Sequence, residues 1–122
     1  MATHNEFGKE AEIVAANYLI QNNYKILERN WRFLKAEIDL IAIDQSVSEL
    51  AIIEVKSLHS ADFRNPEEAV SRKKRKLLIT AADQYIISNK ITLETRFDIV
   101  SMLRENSAWK INHIKNAFHA YE

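Results

Sequence analysis

Hydrophobic residues recur with helical spacing in two segments of the chain. In residues 5–22 they follow one another at three- and four-residue intervals, at Phe7, Ala11, Val14, Ala15, Tyr18 and Leu19. This spacing predicts an amphipathic helix. A second helix should begin at Asn65-Pro66-Glu67-Glu68, which offers an N-cap, a proline at the first helical position and an early acid. We expect it to run to about Asn89, with its buried stripe at Val70, Leu77, Leu78, Ala81, Ala82, Tyr85 and Ile86.

Five further segments are rich in β-branched or alternating apolar residues and predict strands. They cover residues 24–33, 36–44, 49–57, 95–104 and 108–115. The second and third are separated by a short loop, which indicates an antiparallel hairpin. The long helix between the third and fourth is the connection that two parallel strands need. The predicted order is α-β-β-β-α-β-β, an α/β fold with a central mixed sheet flanked by helices. At 122 residues we expect one domain over residues 1–122.

Composition narrows the chemistry that the chain can perform. A single glycine excludes glycine-rich nucleotide-binding loops, and the absence of cysteine excludes disulfides, thiolate metal sites and a cysteine nucleophile. Residues 1–22 lack the basic start and apolar core of a signal peptide, and no apolar run is long enough to span a membrane. We therefore expect a cytoplasmic protein without a membrane partner.

Net charge is zero, yet the charges separate along the chain. Residues 37–54 contain five acids and no Lys or Arg, whereas the run Arg72-Lys73-Lys74-Arg75-Lys76 is entirely basic. Together with Arg32, the run forms a candidate phosphate-binding surface, with a solvated helix face as the alternative. Lys74 lies four residues from both Val70 and Leu78, which places it on or beside the inward stripe.

The acids of the predicted hairpin provide the main candidate site. With a four-residue loop, Asp44 opposes Glu49, Asp39 opposes Glu54 and Glu37 opposes Lys56. Strand alternation then places Glu37, Asp39, Ile41 and Ile43 on one face, and Ile38, Leu40 and Ala42 on the other. Directly opposed acids repel each other, and a divalent cation such as Mg²⁺ would convert that repulsion into a site. A solvated face carrying a plain Glu37–Lys56 ion pair is the alternative.

Other functional residue types fit structural roles better. Glu12 shares a helix stripe with Ala15 and Leu19, so it either points at the sheet or lies at the boundary of the buried face. We interpret Trp31, Tyr85 and Trp109 as core residues rather than base-stacking platforms, and His113 as a packed histidine rather than a ligand.

These residues, taken together, resemble a known bacterial family. Glu37-Ile38-Asp39-Leu40-Ile41-Ala42 followed by Ile53-Glu54-Val55-Lys56 resembles the PD-(D/E)XK nuclease signature as the YraN-like family carries it. The similarity extends over nearly the whole chain and includes the following segments and residues: Gly8, Glu12, Arg29-Asn30-Trp31-Arg32, Asn65-Pro66-Glu67-Glu68, Lys74, Arg96-Phe97-Asp98 and Asn116-Ala117-Phe118. The resemblance implies a restriction endonuclease-like fold, similar to that of Holliday junction resolvases.

The resemblance also implies roles for individual residues. Asp39 and Glu54 would be metal ligands for Mg²⁺ or Mn²⁺, Lys56 the catalytic lysine, and Glu12 a helix-borne acid that completes the site, with Glu37 as a further contributor. The sequence departs from the family pattern in four places. Alanine replaces a common glycine at Ala11 and Ala36, Leu58 replaces a frequent arginine, and Arg64 replaces a common glycine. None of the acid or lysine positions is lost.

The expected function is therefore metal-dependent hydrolysis of phosphodiester bonds. DNA is the expected substrate, with RNA as the other nucleic acid to test, and selectivity for branched DNA is expected because few residues remain for a sequence-reading module. Family analogy also suggests a homodimer. Two alternatives stay open: a non-catalytic nucleic-acid-binding protein that keeps the fold, and a small structural protein with an ion-paired sheet.

Overall fold

A five-stranded mixed sheet forms the centre of the fold, with one helix packed on each face. The structure, a computed structural model, describes residues 4–59 and 70–120. In chain order the elements are α1 (His4–Gln21), β1 (Tyr24–Phe33), β2 (Ala36–Asp44), β3 (Glu49–His59), α2 (Arg72–Ser88), β4 (Glu94–Glu105) and β5 (Ala108–Phe118). The predicted order and the α/β class are confirmed. Within the described ranges, neither helix is long and apolar enough to cross a membrane.

The strands lie in the sheet in the order in which they occur in the chain. All neighbouring strands are antiparallel except β3 and β4, which are parallel, and α2 lies between these two in the chain. A parallel pair requires such a crossover, as the sequence predicts. The turn at residues 45–48 places Asp44 opposite Glu49, so the predicted loop length is confirmed.

Apolar side chains fill the space between the sheet and both helices. In β3, Leu50 and Ile52 pack on the α2 side, whereas Ala51 and Ile53 pack on the α1 side. Burial on both faces explains why the central strands are nearly continuously apolar. A polar side chain in these strands therefore lies in a largely dry interior, where it needs a hydrogen-bond partner or an opposite charge.

Helix α2 begins later than the sequence predicts. Ser71 is extended, with φ −64° and ψ 159°, and its Oγ accepts a hydrogen bond from Lys74 N at 3.2 Å, so Ser71 is the N-cap. A helix continuous from Asn65 is therefore wrong, and Leu77 is 38% exposed instead of buried. The predicted cap at Asn65-Pro66-Glu67-Glu68 and the substitution at Arg64 lie outside the described residues.

Left-handed backbone positions are occupied without glycine. Asn23 (φ 70°) joins α1 to β1, and Asn106 (φ 47°) with Ser107 (φ 68°) joins β4 to β5. Asparagine tolerates this conformation better than most residues. The single glycine, Gly8, lies inside α1, and a Cβ there would meet nothing within 4 Å. Its presence is therefore not required by the described backbone.

Candidate active site at a fork between two strands

Strands β2 and β3 pair closely at one end and separate at the other. Their pairing runs from Asp44 opposite Glu49 to Leu40 opposite Ile53 and ends there. The predicted pairs Asp39–Glu54 and Glu37–Lys56 are therefore not part of the paired region. Beyond it, β2 continues alongside β1 only, and β3 continues alongside β4. The separating strands form a fork whose first residues are Asp39 and Glu54.

The alternation of β2 breaks at this fork. Ile38 packs on the α2 side together with Ile41, whereas Leu40 packs on the α1 side. The predicted placement of Ile38 on the same face as Leu40 is therefore wrong. The opposing strand is irregular at the same place, because Asn30 of β1 has a positive φ of 52°. The Asp39 carboxylate turns toward β3, where its Oδ2 accepts a hydrogen bond from Val55 N at 2.8 Å.

Glu54 lies on the α2 side of β3 with a side chain that is only 3% exposed. Its Oε2 is 2.8 Å from Lys74 Nζ, which reaches it from the first turn of α2. Its Oε1 is buried and has no hydrogen-bond partner among the described residues. An unpartnered carboxylate oxygen in a dry interior is costly, so this oxygen is available to a ligand.

The carboxylates at the fork disfavour one another's ionisation. Burial, and then the charge of Glu54, raise the pKa of Asp39 to about 7, although the bond from Val55 N opposes the shift. Burial and the charges of Glu37 and Glu54 also raise the pKa of Glu12, while a hydrogen bond from Asn30 lowers it. Glu12 therefore lies within electrostatic reach of the fork. Raised carboxylate pKa values in one cluster are typical of functional sites.

Two lysine amines lie beside these acids. Burial, and then the neighbouring charge of Lys74, lower the pKa of Lys56. The pKa of Lys74 is raised instead: burial alone would lower it, but its bond to Glu54 outweighs that effect. The two lysines lie close enough for the charge of Lys74 to act on Lys56. We call the set Glu12, Asp39, Glu54, Lys56 and Lys74 the acidic fork.

The remaining predicted site residues are less central. Glu37 does not face Lys56; it pairs with the exposed Arg32 at 3.3 Å. Arg75 turns inward, where its Nε donates to Val70 O at 2.9 Å and its guanidinium lies over Phe118, so its described contacts are structural. The other basic residues of α2, Arg72, Lys73 and Lys76, are exposed.

A cavity of about 300 Å³ opens beside Lys74. It is lined by Lys35, Ala36, Glu37, Ser71, Lys73, Lys74, Leu77 and Leu78. Among the described residues, three lysines and one acid line it, so this lining favours an anionic group. A smaller cavity of about 210 Å³ lies on the other side of the fork and contains Glu12, Arg29 and Asn30.

The donor set suits a hard divalent cation held by two carboxylates. In the part of the chain that the structure describes, no three His, Asp or Glu side chains are placed so that they could hold a metal ion together. Glu12 therefore influences the pair by its charge and does not form a three-carboxylate group with it. Mg²⁺ is commonly held by one or two carboxylates and keeps several waters. The open Oε1 of Glu54, beside Asp39, fits that requirement.

Asn30 is a site residue that the sequence reasoning did not single out. Its side chain bonds Glu12, and its backbone lies opposite the break in β2. The signal was an asparagine inside a predicted strand, since asparagine is depleted from strands and enriched at positive φ.

A second polar cluster lies on the α1 side of the sheet and was also not predicted. Arg96 Nη1 contacts Asp44 at 2.9 Å and Glu49 at 3.0 Å, and Nη2 contacts Tyr24 Oη at 2.7 Å. Asp98 accepts hydrogen bonds from Arg96 as well, and its Oδ2 is 2.7 Å from His113 Nε2. His113 is thus a packed histidine, as predicted. We call Tyr24, Asp44, Glu49, Arg96, Asp98 and His113 the Arg96 cluster.

Fold and site together define an α/β protein with a carboxylate–lysine centre at a fork in a mixed sheet. Residues 11–102 match the model of the uncharacterised protein family UPF0102, and the chain belongs to that family. It is 43% identical to a UPF0102 protein of Flavobacterium psychrophilum, over 99% of this chain and all of the relative. It is 44% identical to a UPF0102 protein of Phocaeicola vulgatus, over 98% and 97% of the two chains.

Proposed function

We propose that this protein is a divalent-metal-dependent nuclease with a restriction endonuclease-like fold, which hydrolyses phosphodiester bonds in DNA. The observation that carries the proposal is the buried, unpartnered Oε1 of Glu54 beside Asp39, an aspartate whose pKa is raised to about 7. Two buried acids that repel each other destabilise the fold, so a cation that relieves them is the simplest explanation for their presence.

The proposed roles follow from the position of each side chain. Asp39 and Glu54 would hold Mg²⁺ or Mn²⁺, and the ion would supply Lewis acidity toward a phosphate and acidify a bound water. Lys56 lies on the same strand as Glu54 with a lowered pKa, and its amine would orient the attacking water or stabilise developing charge. Glu12 would tune the charge of the site from α1.

Nucleic acid is the proposed substrate because cationic groups surround the fork. Lys35 and Lys73 line the same cavity as Lys74, the partner of Glu54. Arg72 and Lys76 are exposed on α2, the helix that carries Lys73 and Lys74. Such groups contact phosphates without reading base sequence. Since the described elements are used mainly to build the core, selectivity for DNA shape, such as branches or junctions, is the proposed form of recognition.

A cleavage assay tests this function. Linear duplex, single-stranded, flap and four-way-junction DNA, together with RNA, are incubated with the protein and Mg²⁺ or Mn²⁺. We expect cleavage of at least one DNA form, reduced about 100-fold or more in Asp39→Asn and Glu54→Gln because the bound ion and the charge stabilisation that it supplies are lost. Glu105→Gln, which changes an exposed acid at the β4–β5 turn, serves as the matched control and should keep the wild-type rate. Equal rates in all four proteins would reveal a contaminant and contradict the proposal.

The second candidate is a non-catalytic nucleic-acid-binding protein with the same fold. The observation that favours it is the Lys74–Glu54 pair, because an internal cation already neutralises half of the proposed metal site. Tight DNA binding without cleavage of any substrate in either metal would support this candidate over the nuclease.

A further inference from the structure

The Lys74–Glu54 contact joins a solvent-accessible cation to a buried anion. The side chain of Lys74 is 41% exposed, whereas that of Glu54 is 3% exposed, and their charged atoms are 2.8 Å apart. The amine of Lys74 is already partly exposed to water, so Lys74 itself can leave at small cost if another cation takes its place at Glu54. The carboxylate that it would leave behind cannot stay unpaired, because an uncompensated buried charge is strongly destabilising.

The lysine therefore occupies a position where some cation is always required. Glu54 Oε2 holds the amine, Oε1 is open, and Asp39 adds a second negative group on the neighbouring strand. A divalent cation bound to Asp39 and Glu54 would satisfy the same charge more fully. The amine and the ion would then repel each other if both remained on Glu54.

The structure also provides a second place for the amine. Lys74 lines the cavity of about 300 Å³ together with Lys35, Ser71 and Lys73, and among the described residues Glu37 is the one acid that lines it. Because Lys74 itself lines this cavity, an amine released from Glu54 can reach the cavity within the length of its own side chain. A phosphate of a bound nucleic acid would be its natural new partner, since Lys binds phosphate as a point charge.

We propose that Lys74 is an exchangeable cation, which neutralises Glu54 in the metal-free protein and moves to a substrate phosphate when a divalent ion is bound. This inference rests on the proposed function. In the metal-free protein, Lys74 competes with the metal for Glu54. In the metal-bound protein, Lys74 binds a phosphate of the nucleic acid. Metal and nucleic acid should therefore strengthen each other's binding, by the same factor in both directions.

Because Lys74 competes with the metal for Glu54, removing its amine should strengthen metal binding. This effect is measured without nucleic acid. Mn²⁺ is titrated into the full-length protein by calorimetry. In Lys74→Met we expect Mn²⁺ to bind about fivefold more tightly or better, because no amine has to be displaced. A lysine that merely positioned Glu54 for the ion would give the opposite result, weaker binding.

Two further variants keep the test interpretable. Lys74→Arg retains the cation and should bind Mn²⁺ within about twofold of wild type, and Lys73→Met, which removes a neighbouring exposed charge, should do the same. Thermal unfolding shows that each variant is folded. Tighter binding confined to Lys74→Met supports the exchange, whereas unchanged or weaker binding there overturns the exchange alone. If none of the four proteins binds Mn²⁺, the proposed metal site fails, and the exchange fails with it.

Discussion

Asp39 of the acidic fork and Asp98 of the Arg96 cluster are both aspartates of interior strands in the same sheet, but their surroundings differ. Asp39 lies beside another acid, and burial together with Glu54 raises its pKa to about 7. Burial alone would also raise the pKa of Asp98, but bonds from His113 and Arg96 outweigh it and hold that pKa below its ordinary value. Burial raises the pKa at both sites, so the neighbouring groups decide whether the pKa of the aspartate lies above or below its ordinary value.

The difference separates a structural cluster from the proposed functional one. In the Arg96 cluster, one guanidinium contacts three acids and a tyrosine hydroxyl, so every charge has a partner from another strand or from its own. In the acidic fork, one carboxylate oxygen of Glu54 has no hydrogen-bond partner among the residues that the structure describes, and the cation paired with Glu54 is half exposed. Proteins retain such an unfavourable arrangement mainly where binding or catalysis requires it.

The largest stability effect is expected from removing Arg96. Arg96→Met leaves Asp44 and Asp98 buried without their cation, so we expect the free energy of unfolding to fall by about 3–5 kcal/mol. Denaturant unfolding monitored by circular dichroism measures the change. Arg104→Met is the matched control: Arg104 makes a partly exposed pair with Glu10, so its loss should cost about 1 kcal/mol or less. Similar costs for the two variants would mean that the Arg96 cluster is not a structural centre.

A smaller effect of opposite sign is expected at the fork. Asp39→Asn removes a buried charge that repels Glu54, so in metal-free buffer we expect it to raise the free energy of unfolding by about 1–3 kcal/mol above pH 7. The same variant should lose cleavage activity, a trade of stability against function. A destabilised Asp39→Asn would contradict the electrostatic difference between the two regions.

The stability gain of Asp39→Asn should depend on pH, and the raised pKa of Asp39 gives the direction of that dependence. Because the folded pKa of Asp39 is raised to about 7, the wild type binds this proton more tightly when folded, and its stability falls as pH rises from about 4 to 7. The advantage of Asp39→Asn should therefore be near zero below pH 4 and reach its plateau above pH 7.

For Asp98, whose folded pKa is lowered, stability is present above about pH 4 and is lost as pH falls further. Asp98→Asn should therefore destabilise most above pH 4.

The smallest effect is expected at Glu37, which lies next to the fork but pairs with Arg32 at the surface. Glu37→Gln breaks an exposed ion pair, so we expect the free energy of unfolding to change by about 0.5 kcal/mol or less. Cleavage should fall far less than in Asp39→Asn. A loss of activity as large as that of Asp39→Asn would mean that Glu37 is part of the catalytic centre and belongs to the acidic fork.

The sequence predicted local structure well because local patterns determine it. The bounds of β1 and β2 and the register from Asp44–Glu49 to the fork follow from alternation and from a four-residue loop. The two acids and Lys56 could be identified because charged residues inside an apolar strand need an explanation. Lys74 could be placed near the inward face from its helical spacing alone.

What the sequence did not reveal depends on distant or irregular contacts. Periodicity assumes a regular strand, so it missed the break of β2 at Asp39 and carried the register on to Glu37 and Lys56. The Arg96 cluster joins Tyr24, Asp44 and Arg96 across β1, β2 and β4, and no local pattern links residues so far apart. The helix start at Ser71 was missed because Asn65-Pro66 offered a stronger cap signal.

The location of a bound Mn²⁺ ion tests the central claim most directly, because residues 4–59 and 70–120 contain two acidic clusters that the ion must distinguish. Anomalous diffraction from crystals of the full chain grown with Mn²⁺ would locate it. We predict an anomalous peak in contact with Asp39 and Glu54, and none at Asp44, Glu49 or Asp98, where Arg96 already supplies the positive charge. A peak at the Arg96 cluster, or a structure with Mn²⁺ present and no peak at the fork, would contradict the account.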